Sequence, residues 1–166
     1  PLLLSLDASI CIENFNSKTI LSLKDFFISY RKTKLKKGQF ISSIRIPIYK
    51  KNIFKAYKIS KRIDDDISSV CASFNVIIVN KRIKNIKIAY GGMAPIPKRA
   101  IHCEKILLNS DFSEEVILKA QISLETDFQP INDMRASKNY RMEIAKNLLL
   151  KCFTEIKNNK SIRLNY

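Results

Sequence analysis

One stretch, Val70 to Tyr90, constrains this chain more than any other. Val70, Ala72, Phe74, Val76 and Ile78 recur at every second position, so they share one face of a long strand. Asn80–Arg82 supplies a hairpin turn, and Ile86, Ile88 and Tyr90 give the inward face of the returning strand. A lone hairpin with one apolar face is marginal in water, so it needs neighbouring strands and a covering layer. The neighbouring strand is predicted over Ile53–Ser60, with Lys61–Asp66 as a charged turn. Gly91-Gly92 breaks the returning strand, and Pro95 and Pro97 keep the next segment extended.

The covering layer is readable further on. Ser113-Glu114-Glu115 offers a helix cap and an acidic first turn, followed by the apolar stripe Val116, Ile117, Ala120 and Leu124. Ser137 caps a last helix with the stripe Tyr140, Ile144, Leu148, Cys152 and Ile156, and Lys157 and Lys160 lie near its negative end. Antiparallel strands followed by helices define an α+β class with helices on one sheet face. Before the hairpin, Ser9–Glu13 and Thr19–Leu21 read as strands around a turn at Asn14–Lys18. Leu23, Phe26, Phe27 and Tyr30 fall at helical spacing, and Phe40–Ile46 alternates as a strand that stops at Pro47. The lysine-rich link Tyr49–Asn52 is the expected boundary between two units.

The chain has 166 residues, which suits one domain or one domain with a piece of another, and it opens on Pro1, as a fragment of a longer polypeptide would. No apolar run approaches the ~20 residues of a membrane span, and Pro1–Leu4 lacks the flanks of a signal peptide. Cys11, Cys71, Cys103 and Cys152 are scattered without metal-ligand spacing and read as reduced thiols of a cytoplasmic protein. His102 is the only histidine and reads as a surface or capping residue. A net charge of +15 raises the question of nucleic acid, but lysine is spread through the whole chain and aromatics do not interleave with the basic runs, so solvated surface lysines are the preferred reading.

One segment is chemically unusual. In Tyr57–Asp66 three consecutive carboxylates follow Lys61-Arg62, which are placed to offset them. Lys58 shares a strand face with Phe54, Ala56 and Ser60; if that face is covered, its ammonium must meet an acceptor or an anion. The other reading of Lys58 is an edge-strand lysine that guards against aggregation. Gly91-Gly92 belongs to no phosphate-binding loop and reads as a tight turn.

Four segments, FFISYRKTKLKKGQFISSIRIP (26–47), FKAYKISKRIDDDISSVCASFNV (54–76), IKIAYGGMAPIPKRA (86–100) and TDFQPINDMRASKNYRMEIAKNLLLK (126–151), occur in order along the chain. Together they resemble the C-terminal part of the FAD-binding subunit of the molybdenum hydroxylases, on the xanthine dehydrogenase branch. The resemblance implies that residues 1–49 are the tail of an α/β, PCMH-type FAD-binding lobe. It implies that residues 53–158 form the family's C-terminal domain, a small antiparallel sheet packed on about three helices. The glycine-rich loop that wraps the FAD diphosphate would lie upstream of Pro1, so the isolated chain is expected to bind FAD weakly or not at all.

The resemblance places Ile41 against the flavin, Lys58 at the flavin, and Arg62 and Asp65 in a loop near the ring face used by NAD. No catalytic acid or base and no metal ligand is implied within the chain. The DMRAS segment (133–137) and Tyr140-Arg141 would be structural, with Asp133 or Ser137 capping the last helix and Arg141 pairing with a carboxylate. The implied activity is electron transfer in purine catabolism: a molybdopterin site on a large partner subunit oxidises the purine, [2Fe-2S] clusters carry electrons to FAD, and NAD is the acceptor. The alternatives are the carbon monoxide or aromatic hydroxylase branches, or a non-catalytic assembly module with a basic surface.

Overall fold

A computed structural model describes residues 1–62 and 66–161. The chain opens with a short helix α1 (Leu2–Ser5), followed by strands β1 (Ser9–Glu13) and β2 (Lys18–Ser22). β1 is the centre of a three-stranded antiparallel sheet, between β2 and β5 (Phe40–Arg45). Between them the predicted helix over Leu23–Tyr30 is absent. A single 3₁₀ turn (Leu23–Asp25) leads instead into a small hairpin, β3 (Phe27–Ser29) and β4 (Lys32–Thr33). The cause is local: Arg31 adopts φ 57 at the turn, and the Lys34 amide donates to the Phe26 carbonyl, closing the ribbon. Short apolar runs satisfy both periods, and here the turn decided.

The second sheet runs in the order β6 (Ile53–Ile59), β7 (Val70–Val79), β8 (Arg82–Gly91), β9 (Lys98–Arg99), all antiparallel. The β7–β8 turn places Asn80 and Lys81 at φ 50 and 58, the left-handed pair that tight hairpins need. Val70, Ala72, Phe74 and Val76 point to one face with Ile86, Ile88 and Tyr90, and a bulge follows Ile77. Three helices cover that face: α2 (Ile101–Leu107), α3 (Glu114–Asp127) and α4 (Lys138–Asn158). The α+β class with a small antiparallel sheet on three helices therefore holds, with α1 as an additional short element.

A run of rings, Tyr57–Phe74–Tyr90–Phe128, crosses this core at centroid spacings of 5.9, 6.0 and 5.3 Å. The Tyr90 hydroxyl, fully buried, donates to the Ala145 carbonyl of α4 at 2.9 Å. Ser137 caps α4 by accepting from the Tyr140 amide, whereas Ser113 precedes α3 without a side-chain cap. The buried stripe of α4 is Arg141, Ala145, Leu148, Leu149, Cys152, Phe153 and Glu155, so Tyr140 is left half exposed and a charged residue takes the inward position beside it.

The opposite sheet face is covered by the first part of the chain. Asn75 donates to the Ser5 carbonyl at 3.1 Å, Ala89 packs in a cluster with Leu4, Ala8, Ile10 and Phe26, and Pro1 lies over Gly91. Asp7 pairs with Lys87 and, at 3.6 Å, with Arg99, tying α1 to β8 and β9.

Candidate functional site

Register fixes the site. Lys58 pairs with Cys71, and Cys71 pairs with Gly91, so all three share the face turned toward Pro1 rather than the helices. Tyr57 and Lys55, on the other face of β6, reach α4. The Tyr57 hydroxyl donates to Glu155 Oε2 at 2.9 Å, and Lys55 Nζ lies 3.1 Å from the same oxygen. The two faces therefore treat their lysines differently. Lys55 is held by a buried carboxylate, whereas Lys58 is exposed and makes no ion pair among the described residues. Burial of Cys71 raises its thiol pKa, while the Pro1 amino group and the Lys58 ammonium work against that rise. The sheet face is thus covered over β7 and β8 and open at β6, so the covered-face condition that would oblige Lys58 to meet an anion is not met, and its exposed place on edge strand β6 is that of a lysine guarding an edge.

Ile41 sits on β5, opposite Ile12, on the outer edge of the first sheet. It is 42% exposed, and its neighbours Phe40 and Ile44 are 56% and 50% exposed. Ile41 offers an exposed aliphatic edge and Lys58 an exposed ammonium on edge strands of two different sheets, and each side chain by itself is of a type that suits part of an isoalloxazine, a flat apolar ring with a polar rim. The chain has only Gly38, Gly91 and Gly92, and none forms a glycine-rich diphosphate loop. The fit therefore extends to the ring and not to the diphosphate.

Arg62 and Asp65 were expected beside this ring. Arg62 is exposed and its Nε lies 3.8 Å from Asp66 Oδ2. Asp65 falls outside the described residues. Lys61, expected to offset the carboxylates, instead donates to the Met134 carbonyl at 2.8 Å.

Arg141 is tied into the fold more closely than the sequence reading foresaw. Its side chain is 3% exposed, its Nη1 donates to the carbonyls of Ser69 and Gly92, and its Nη2 donates to Asp133 Oδ1 at 2.6 Å. Asp133 also accepts from the Arg135 and Ala136 amides at 2.8 and 3.1 Å. The expected pairing of Arg141 with a carboxylate is real, and the guanidinium also ties together three backbone segments. A cleft of about 440 Å³ opens beside it, lined by Tyr30 of the β3–β4 turn, Ala94, Pro95, Ile131, Arg135 and Arg141.

Burial works to raise the Asp133 pKa, and the amides of Arg135 and Ala136 and the Arg141 guanidinium overcome it, holding the carboxyl below the usual range. A depressed carboxylate pKa stabilises the fold above the unfolded value of about 3.9, and that contribution is lost as pH falls through the folded value. Wild type is thus expected to lose its stability advantage over Asp133→Asn below about pH 4 and keep it above about pH 5. Unfolding midpoints of both proteins across that window check this.

The class of this α+β unit comes from comparison with known proteins. Residues 55–156 match the CO dehydrogenase flavoprotein C-terminal domain, and the chain belongs to that family. Residues 1–49 match the FAD binding domain in molybdopterin dehydrogenase. The nicotinate hydroxylase hnxS of Emericella nidulans is 30% identical over the whole chain, which spans 13% of that protein. The xanthine dehydrogenase of the same organism is 32% identical over 77% of the chain and 10% of its own length. The glyceraldehyde dehydrogenase medium chain of Sulfolobus acidocaldarius is 27% identical over 93% of the chain and 54% of its own length. The fold also superposes on the carbon monoxide dehydrogenase of Hydrogenophaga pseudoflava with a TM-score of 0.84 at 21% identity, covering 89% of this chain and 52% of that one. For quinoline 2-oxidoreductase of Pseudomonas putida 86 the TM-score is 0.83 at 20% identity, over 98% and 56% of the two chains. The chain thus spans about half of these two solved chains and about a tenth of the two Emericella nidulans proteins.

Proposed function

We propose that this chain is the C-terminal part of the FAD subunit of a xanthine dehydrogenase-like molybdenum hydroxylase, passing electrons from iron–sulfur clusters through FAD to NAD during purine oxidation. Residues 1–49 would complete a flavin lobe begun upstream, and residues 53–158 would be the domain that closes on it. The [2Fe-2S] clusters and molybdopterin belong to other parts of the complex, with a molybdenum-binding large subunit as partner, in the cytoplasm. The observation that carries this reading is the pair of family matches, residues 1–49 to an FAD binding domain and residues 55–156 to a flavoprotein C-terminal domain.

FAD, when bound, supplies the redox chemistry of accepting an electron pair and returning it as hydride. The chain's own residues set the surroundings. Lys58 favours negative charge on the reduced ring, and Ile41 gives the ring an apolar contact that excludes water. Arg62 and Asp65 set the charge at the approach of the acceptor. The cleft beside Tyr30 combines an apolar lining with Arg135, which suits an aromatic anion such as a nicotinamide dinucleotide. This electron path asks for no general acid or base among the described residues.

The likeness to quinoline 2-oxidoreductase and to carbon monoxide dehydrogenase favours a second reading, in which the same electron path serves an aromatic or carbon monoxide hydroxylase. Expression of the chain joined to its upstream region tests the shared core of both. Near-stoichiometric FAD in that protein, and none on the isolated 166 residues, is the expected result. A joined protein that folds, assembles with a molybdenum subunit and lacks flavin would favour the assembly module instead.

A further inference from the structure

The Arg141 cluster performs a task that a packing residue does not need to perform. A buried guanidinium is costly, a single carboxylate would pair it, and this one keeps its place although its Nε is buried without a hydrogen-bond partner among the described residues. Here the fork is spread over three chain segments. Nη1 bridges the carbonyl of Ser69, where β7 begins, and that of Gly92, where β8 has just ended, the latter at 2.9 Å. Nη2 holds Asp133 in the loop before α4.

That loop is fastened to the β6–β7 connection at both of its ends. Lys61 donates to the Met134 carbonyl at 2.8 Å, and the Ser69 hydroxyl donates to the Arg135 carbonyl at 3.4 Å. Gly92 makes the closeness possible. Its φ is +81, and a Cβ there would sit 2.2 Å from the Ser69 oxygen and 2.9 Å from Arg141 Nη1. Planarity and multiple fixed donors make arginine suited to this arrangement, and the single ammonium of lysine is not.

We propose that Arg141, together with Asp133, is a positioning residue for the flavin-facing edge of this domain: it fixes where the strand carrying Lys58 ends and where Lys61 and Arg62 are presented. The assignment rests on the reading of Lys58 and Arg62 as flavin-side groups, and it adds a device that sets their place. The wall of the cleft beside Tyr30 is built from the same residues, Gly92, Asp133, Arg135 and Arg141, so the device shapes the acceptor side as well.

The test uses the full-length polypeptide with its upstream region. Arg141→Lys and Asp133→Ala are compared with Tyr90→Phe, which removes a different buried bond to α4, from Tyr90 to the Ala145 carbonyl. Native-state trypsin digestion reads two places at once: cleavage after Lys61 and Arg62, and cleavage after Lys81 and Arg82 in the exposed β7–β8 turn, which lies outside the network. The expected result is about tenfold faster cleavage at the first place with less than about twofold change at the second, and an unchanged ratio in Tyr90→Phe. A general loss of stability would raise both places together, and that outcome, or no change at either, overturns the proposal.

Visible circular dichroism of the bound flavin supplies the second arm. It is expected to change in Asp133→Ala and Arg141→Lys and not in Tyr90→Phe. A raised cleavage ratio with an unaltered flavin signal would show a loop fastening that does not reach the cofactor, and would overturn the positioning role. Absence of flavin in the wild-type polypeptide would instead sink the function proposed above, while the cleavage ratio still decides whether Arg141 positions the segment.

Discussion

Gly92→Ala is expected to destabilise the protein by about 3–4 kcal/mol, a large share of the 5–15 kcal/mol that holds an ordinary domain together. Two costs add. The left-handed backbone at φ +81 is strained for any side chain, at about 1 kcal/mol or more. A methyl group 2.2 Å from the Ser69 carbonyl also forces that carbonyl away. Displacing it costs the bond from Arg141 Nη1, and hydrogen bonds to charged groups are worth about 1.5–3 kcal/mol. Urea unfolding of the two proteins measures the difference. A loss below about 1 kcal/mol would mean that the junction of Ser69, Gly92 and Arg141 is looser than described. Gly91 is a different case, because its Cβ would press on the ring of Pro1 at 3.0 Å and touch the Cys71 Cβ at an ordinary 3.8 Å, with no backbone atom in the way.

The second large effect lies at the far end of α4. Glu155 is 3% exposed and accepts from Tyr57, with Lys55 at 3.1 Å and Lys151 at 2.6 Å. One buried carboxylate thus serves two ammonium groups and a phenol. Burial raises the Tyr57 hydroxyl pKa, and burial likewise pushes the neighbouring Cys152 thiol up to about 12, so neither group supplies a replacement negative charge near neutral pH. Glu155→Ala removes the carboxylate that Lys55 and the Tyr57 hydroxyl share, and about 2–3 kcal/mol of stability is expected to go. The figure stays below that of a fully buried pair because the Lys55 side chain is 30% exposed and can reach water. Glu155→Gln keeps the shape and the bond to Tyr57, so its loss is expected to be smaller. Equal losses in the two variants, read from denaturant midpoints, would show that charge is not what Glu155 contributes.

What the sequence could and could not reveal follows from how local each cause is. The long hairpin was legible because its period, its turn residues and its glycine break all lie within about twenty positions of one another. Ser137 was legible as a cap because it acts on Tyr140, three residues on. Helix α2 left no such mark. Its first amides, from His102 and Cys103, are met by the Asp127 carboxylate at 2.9 and 3.0 Å, about one helix length further along the chain. Its own N-cap is Ala100, which has no side-chain acceptor. A cap supplied from so far away cannot be read from neighbours. His102, expected to cap or lie at the surface, is half exposed and its Nδ1 sits 2.9 Å from the same carboxylate.

Arg141 was legible only through the resemblance, as a structural residue paired with a carboxylate, and Asp133 eight residues earlier is that partner. The apolar periodicity was drawn through Tyr140, so the inward place of the guanidinium beside it was not read. Lys58 sits between these cases. Its strand face was legible from the alternation, but whether that face is covered depends on where the first forty-nine residues pack, and that is a tertiary fact. They cover β7 and β8 and stop short of β6.

The account turns on that uncovered ammonium. In the polypeptide with its upstream region and bound flavin, Lys58→Ala is expected to lower the flavin midpoint potential by about 30 mV, which for a two-electron couple corresponds to about 1.4 kcal/mol of lost stabilisation of the reduced ring. The sign follows from charge: removing a cation disfavours the anionic reduced form. Spectroelectrochemical titration of wild type and Lys58→Ala side by side gives the answer. A potential that does not move, with flavin content intact, would place the ring elsewhere and contradict the site assigned to this domain.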